Sequence, residues 1–294
     1  MAEQKGSRLN QLLQQLPPGM LVDSDWLGRH GFARSSIHDY VRQGWLERLA
    51  PRVYRRPAGR RQDDSGQPDP AVPVRWELAV VSAQALVDNP FHVGGATALD
   101  LLGFSHFLDL GRKMQVRLYD PARTAPAWLT RLPLDVELAI VRRKLFAEDR
   151  LGLEWRRIDL GSGRVGAAAE EPVRQELWDQ FLFMATAERA AIELLEDVGV
   201  DVGFRSADHL FEGLANLRPG LLMRLLVRCT SVKAKRLFFF YADRHGHAWA
   251  KRLDRDDIDL GRGKRQIVKG GRLDPAYQIT VPADMISDDG LDDG

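Results

Sequence analysis

The chain has 294 residues, 44% of them hydrophobic, with 42 Lys+Arg against 41 Asp+Glu for a formal net charge of +1. That length favours two domains over one, and the apolar content suffices for ordinary cores. No apolar run reaches the ~18 residues of a membrane span and no N-terminal signal pattern is visible, so a cytoplasmic protein with no membrane partner is expected. The single cysteine, Cys229, excludes an internal disulfide and argues against a cysteine-based metal site.

The near-neutral total hides a segregated arrangement. Residues 1–62 hold 11 basic against 5 acidic residues and residues 231–272 hold 12 against 5. The span 63–230 is acidic at 19 against 25, and residues 273–294 carry six Asp and no base. Two positive regions are thus separated by a negative one, a pattern suited to phosphate at one end and a second partner at the other.

In chain order, Ser7–Leu16 spaces its leucines for one helical face and is ended by Pro17-Pro18-Gly19. Ser24 is expected to cap a short helix carrying Trp26 and Leu27, with Gly31-Phe32 as the turn. A second helix is expected from Arg34 to Gln43, stopped by Gly44. Its Ile37, Tyr40 and Val41 share a face, so Ser35, His38, Asp39 and Arg42 point outwards. Trp45–Leu49 and Val53–Arg56 read as two short strands around a Pro51 break, a β-hairpin wing. Together these make a winged helix-turn-helix at residues 1–58, with DNA binding as the leading reading and a protein-interaction module as the alternative. Ser35, Ser36, His38 and Arg42 are placed near base edges. Arg34, Arg48, Arg52, Arg55 and Arg56 are placed on phosphates.

Residues 59–73 are rich in Gly, Pro, Asp and Gln and read as a linker. A second domain is expected over 74–286, with helices near 74–87 and 96–102. Strands follow near 114–119, 134–141 and 154–159, then helices near 172–184, 187–198, 206–216, 219–230 and 231–244. Strands before helices give an α+β class: an N-terminal winged helix-turn-helix followed by a larger mixed α+β domain. Residues 287–294 read as an acidic disordered tail.

Signs of catalysis are sparse. Gly161–Gly166 fits G-x-G-x-x-G, but neither a helix nor a second strand with an acidic end follows, so a glycine-rich hairpin or loop is preferred. Asp243, His245 and His247 cluster without a third ligand at metal-site spacing. No nucleophile elbow or triad spacing is visible. The block Leu237–Tyr241, flanked by Lys233, Lys235, Arg236 and Arg244, reads as a core helix with basic ends rather than a base-stacking platform. No enzyme activity, cofactor or metal is expected.

Three stretches carry a family resemblance: Gly44–Tyr54, Val93–Leu108, and Lys235–Phe238 through His245–Trp249 to Lys269–Pro282. In these the chain resembles the AbiEi antitoxins of type IV toxin–antitoxin systems. Where the wing turn of such proteins often reads Pro-Gly, this chain has Pro51-Arg52. The resemblance implies an N-terminal domain that binds repeats in its own promoter, on double-stranded DNA, and represses the operon. It also implies a C-terminal domain that neutralises an AbiEii-like nucleotidyltransferase toxin without a stable complex. For that second role the exposed bases Lys264, Arg265 and Lys269 are the candidate surface. A ligand-sensing winged-helix regulator with no antitoxin role is the alternative. A nuclease with a DNA-guiding head would need an Asp and a Glu-x-Lys set that the sequence does not display.

Overall fold

A computed structural model of the chain describes residues 2–57, 74–104, 114–134, 136–148, 150–172 and 180–286. The expected linker at 59–73 and the expected tail at 287–294 lie outside the described residues. The chain divides into two compact units that interleave along the sequence. Unit 1 gathers residues 1–92, 109–142 and 155–183; unit 2 gathers 93–108, 143–154 and 184–294.

Unit 1 opens with α1 (Ala2–Gln15), β1 (Leu21–Asp23), α2 (Ser24–Arg29), α3 (Arg34–Arg42), β2 (Glu47–Ala50) and β3 (Val53–Arg55). The strands form an antiparallel sheet of order β1-β3-β2, which is the winged helix-turn-helix topology. Its core is Leu12, Leu16, Trp26, Leu27, Phe32, Ile37, Tyr40, Leu46 and Val53, the apolar positions that helical and strand periodicity place inward. Gly31 (φ +82°) makes the turn between α2 and α3, and its N–H reaches the Gly28 carbonyl. The cap of α2 differs from expectation by one residue: Asp23, not Ser24, accepts the Trp26 N–H at 2.7 Å. Strand β1 ends on Asp23 in extended geometry, which is what a capping side chain requires.

Beyond the winged element, unit 1 contains α4 (Trp76–Ala85) and most of a six-stranded mixed sheet. Its strands are β4 (His92–Val93), β5 (Gln115–Tyr119), β6 (Glu137–Val141), β7 (Leu153–Asp159), β8 (Arg164–Ala169) and β9 (Phe181–Ala185), in the order β6-β5-β4-β9-β7-β8. β5 and β6 pair in parallel, and β7 and β8 form an antiparallel hairpin. Helix α4 is buried nearly all round and ties its neighbours together through polar side chains. Ser82 Oγ accepts the Leu21 N–H, while Gln84 donates to the Phe91 and Phe183 carbonyls and accepts the Phe183 N–H.

Unit 2 contains α5 (Gly95–Leu101), α6 (Ala187–Asp197), α7 (Phe204–Gly213), α8 (Pro219–Arg228), α9 (Val232–His245) and the hairpin of β10 (Arg272–Asp274) and β11 (Ile279–Val281). α6 lies at its centre and carries buried charges that are fully engaged. Glu193 accepts the Gly95 N–H at 3.1 Å and the Arg189 Nε–H at 2.8 Å, and Glu188 accepts both arms of Arg218. Phe238 and Tyr241 of α9 are buried against Phe211, Phe238 also against Trp249, and buried Phe239 stacks on Tyr277, so the aromatic block is core.

One expected helix is overturned. Residues 181–185, placed at the end of a helix near 172–184, form a strand buried at every position; 173–179 lie outside the described residues. A short apolar run without alternation carries no periodicity to separate strand from helix.

Candidate nucleic-acid interface

Helix α3 has Ala33 at its N-cap, which supplies no side-chain cap to the amides of the first turn. On its outer face Arg34, Ser35, His38 and Arg42 are exposed, Ser36 is half-buried, and Ile37 and Tyr40 hold the inner face. Arg34 and Ser35 thus stand at the uncapped positive end of the helix dipole, and Arg42 at its C-terminal end.

The wing arginines fall into distinct groups. Arg56 is half-buried and donates to the Leu13 and Leu16 carbonyls at 2.6 Å each, closing the C-terminal turn of α1. Burial depresses its pKa. Arg55 grips Glu47 across the hairpin at 2.6 and 3.1 Å, with its side chain 22% exposed. Arg42 pairs with Asp39 one turn earlier on α3. Arg52 bonds Ser24 Oγ at 2.9 Å and Asp25 Oδ1 at 2.5 Å. Arg34 and Arg48 are exposed and have no such side-chain partner among the described residues. The partners Glu47, Asp25 and Asp39 are what sequence reading of this surface missed. Only Asp39–Arg42, three apart on one helix, had a spacing that announced the pair.

The two-residue turn between Ala50 and Val53 is Pro51-Arg52, and Arg52 adopts φ +68°. Proline first and a left-handed residue second is a type II arrangement, for which glycine or asparagine is favoured at the second place. An arginine there costs about 1 kcal/mol of backbone strain.

In unit 2, Lys264, Arg265 and Lys269 are all exposed. The loop that presents Lys264 and Arg265 is fixed from beneath. Buried Arg236 donates to the Leu260, Gly263 and Gln278 carbonyls, and Asp259 accepts the Gly261 N–H. Thus Arg236, counted as part of the positive stretch, is a structural tie.

The groups weighed for other chemistry are engaged elsewhere. His245 bonds Asp208 at 2.8 Å and His247 the Phe211 carbonyl at 2.6 Å, while Asp243 is held by Arg255 and the Tyr277 hydroxyl. Among the described residues no three His, Cys, Asp or Glu side chains are grouped to hold a metal. Gly161–Gly163 is the turn of the β7–β8 hairpin, wrapped on Asp159, which accepts the Gly161 N–H and the Ser162 hydroxyl. No helix among the described residues is long and apolar enough to cross a membrane.

This fold defines a protein of the winged helix-turn-helix class with a larger mixed α+β part. Residues 113–282 match a family described as "Transcriptional regulator, AbiEi antitoxin, Type IV TA system", and residues 5–110 match the N-terminal domain of that regulator. The chain belongs to the AbiEi antitoxin family of type IV toxin–antitoxin systems. No curated protein matches the sequence at a significant level. Among solved structures it is similar to the RV2827C protein from Mycobacterium tuberculosis, with TM-score 0.53 and 18% identity over 94% of this chain and 90% of that one. At that identity the likeness speaks for the fold alone.

Proposed function

We propose that this protein represses its own operon by binding promoter repeats on double-stranded DNA through the winged element of residues 1–58. In the same reading, residues 74–286 neutralise a nucleotidyltransferase toxin without forming a stable complex with it, and both acts take place in the cytoplasm. The observation that carries the first half is the outer face of α3, where exposed Arg34 and Ser35 stand at a helix start with no side-chain cap and exposed His38 and Arg42 follow along the helix. Arg48 on the wing adds an exposed cation. The second half is supported by the family and by the anchored basic loop at Lys264 and Arg265.

The test uses the full chain. Binding to the duplex upstream of its own gene is measured by fluorescence anisotropy against an unrelated duplex, over a salt series. Specific binding that weakens steeply with salt is expected; equal affinity for both duplexes would refute operator recognition. Growth rescue is then measured with the adjacent toxin gene under a separate promoter. The K264A/R265A/K269A variant should keep repression and lose protection. Full protection by that variant would remove this surface from the reading.

A further inference from the structure

The contact between the wing tip and the start of α2 pairs opposite charges. Arg52 reaches Asp25 Oδ1 at 2.5 Å and Ser24 Oγ at 2.9 Å, and its carbonyl accepts the Ser24 N–H at 3.0 Å. Both charged side chains are largely exposed, 69% for Arg52 and 64% for Asp25. An exposed pair of this kind is weak and exchangeable. By contrast, Arg55 and Arg56 are partly buried on their partners.

Two features of Arg52 bear on its role. Its backbone is left-handed at φ +68°, where glycine or asparagine would form the turn without strain. The wing turn thus presents a long cationic side chain from a strained backbone position, an outlier that motivates asking what the side chain does. Its guanidinium is also already arranged to grip an oxyanion. The carboxylate of Asp25 and the hydroxyl of Ser24 present acceptors to the guanidinium fork as a phosphodiester would.

We propose that Asp25 is an internal stand-in for a DNA backbone phosphate. It holds Arg52 in its binding pose in the free protein and competes with DNA for it, so that Asp25 sets how tightly the winged element binds. This rests on the DNA-binding reading above. On binding, a phosphate displaces the Asp25 carboxylate from Arg52, and the released carboxylate faces the duplex as an opposing charge. Affinity is thereby held below what the same surface could reach, equally on every sequence, because a phosphate contact carries no base information.

The experiment compares the full-length wild type with D25N, R52N and R52G on the upstream duplex and on an unrelated duplex across a salt series. R34A and R48A serve as controls and thermal unfolding as the check on folding. D25N keeps the shape and an acceptor oxygen but removes the charge; it should tighten binding about threefold on both duplexes. R52N and R52G keep the turn and remove the cation; both should weaken binding and flatten the salt slope by about one unit. Weaker or unchanged binding by folded D25N overturns the proposal, as does an unchanged salt slope in both Arg52 variants. If R34A and R48A also leave affinity and slope untouched, the DNA-binding reading itself has failed. If those controls respond while the Asp25 and Arg52 variants do not, only the present proposal is lost.

Discussion

Trp128 donates its indole N–H at 3.2 Å to Asp23, the same carboxylate whose other oxygen caps α2 at 2.7 Å. One side chain therefore starts the helix-turn-helix and anchors it to a buried tryptophan more than a hundred residues away in sequence. D23A removes a cap and strands an indole donor, and should cost about 2 kcal/mol. W128F removes the donor and part of a buried ring, and should cost about 1 kcal/mol for the hydrogen bond plus about 1 kcal/mol for the lost packing. Urea unfolding of the two variants and their double mutant checks this: the double should lose less than the sum of the singles.

The arginines of the winged element should separate by experiment into two kinds. R56A leaves the Leu13 and Leu16 carbonyls without their donor, and R55A breaks the bridge to Glu47. Both should lower the unfolding midpoint by an amount corresponding to about 1–2 kcal/mol. R34A and R48A should leave the midpoint within about 0.5 kcal/mol of wild type and flatten the salt slope by about one unit each. A stable R55A whose salt slope falls like that of R48A would show that Arg55 releases Glu47 on binding.

Glu188 gives unit 2 an acid sensitivity. Burial works against its charged form, yet hydrogen bonds from the Arg218 side chain and backbone, at 2.9 Å, outweigh that and hold the pKa below the ordinary glutamate value. Because the folded pKa is depressed, this contribution to stability is complete above the unfolded value of about 4.3. It drains away as pH falls through the lower folded value. E188Q should be less stable than wild type at neutral pH, and the gap should narrow steadily below about pH 4. Thermal midpoints across a pH series read this out; a gap of constant size would assign the loss to packing instead.

Gly271 precedes β10 at the open end of the C-terminal hairpin, close to Val281. A Cβ there would sit 2.4 Å from the Val281 carbonyl oxygen and 2.4 Å from Val268 Cγ1. G271A should destabilise the protein by about 2–4 kcal/mol, since the backbone oxygen cannot step aside. Hydrogen exchange in residues 265–281 should rise before that of α6, because the clash is local to the hairpin.

The helix-turn-helix was legible because its signals agree: the Ile37 and Tyr40 spacing, the Gly31 and Gly44 punctuation and the Pro51 break all act over a few residues. What escaped reading depends on distance. β1 is a three-residue strand whose pairing with β3 spans some thirty positions, so no local pattern marks it. Phe181–Ala185 is buried throughout and hence shows no alternation. The charge of each arginine could be counted from sequence, but its partner could not. Arg56 is bound by carbonyls of a helix forty residues earlier, and Arg236 by a loop and a hairpin that the folded chain brings under it.

The interleaving of the two units decides how the two proposed activities can be tested apart genetically. The polypeptide leaves one unit for the other after His92, Leu108, Arg142, Glu154 and Phe183. A shortened gene cannot deliver either unit whole. Starting translation at residue 74 would strip Leu21 from Ser82 and Asp23 from Trp128, and stopping it anywhere before 183 would deprive Gln84 of Phe183. Loss of protection by such a fragment would report damage as readily as a missing activity. The proposed repression and the proposed neutralisation are therefore to be tested apart by surface substitutions in the intact chain, such as R34A against K264A.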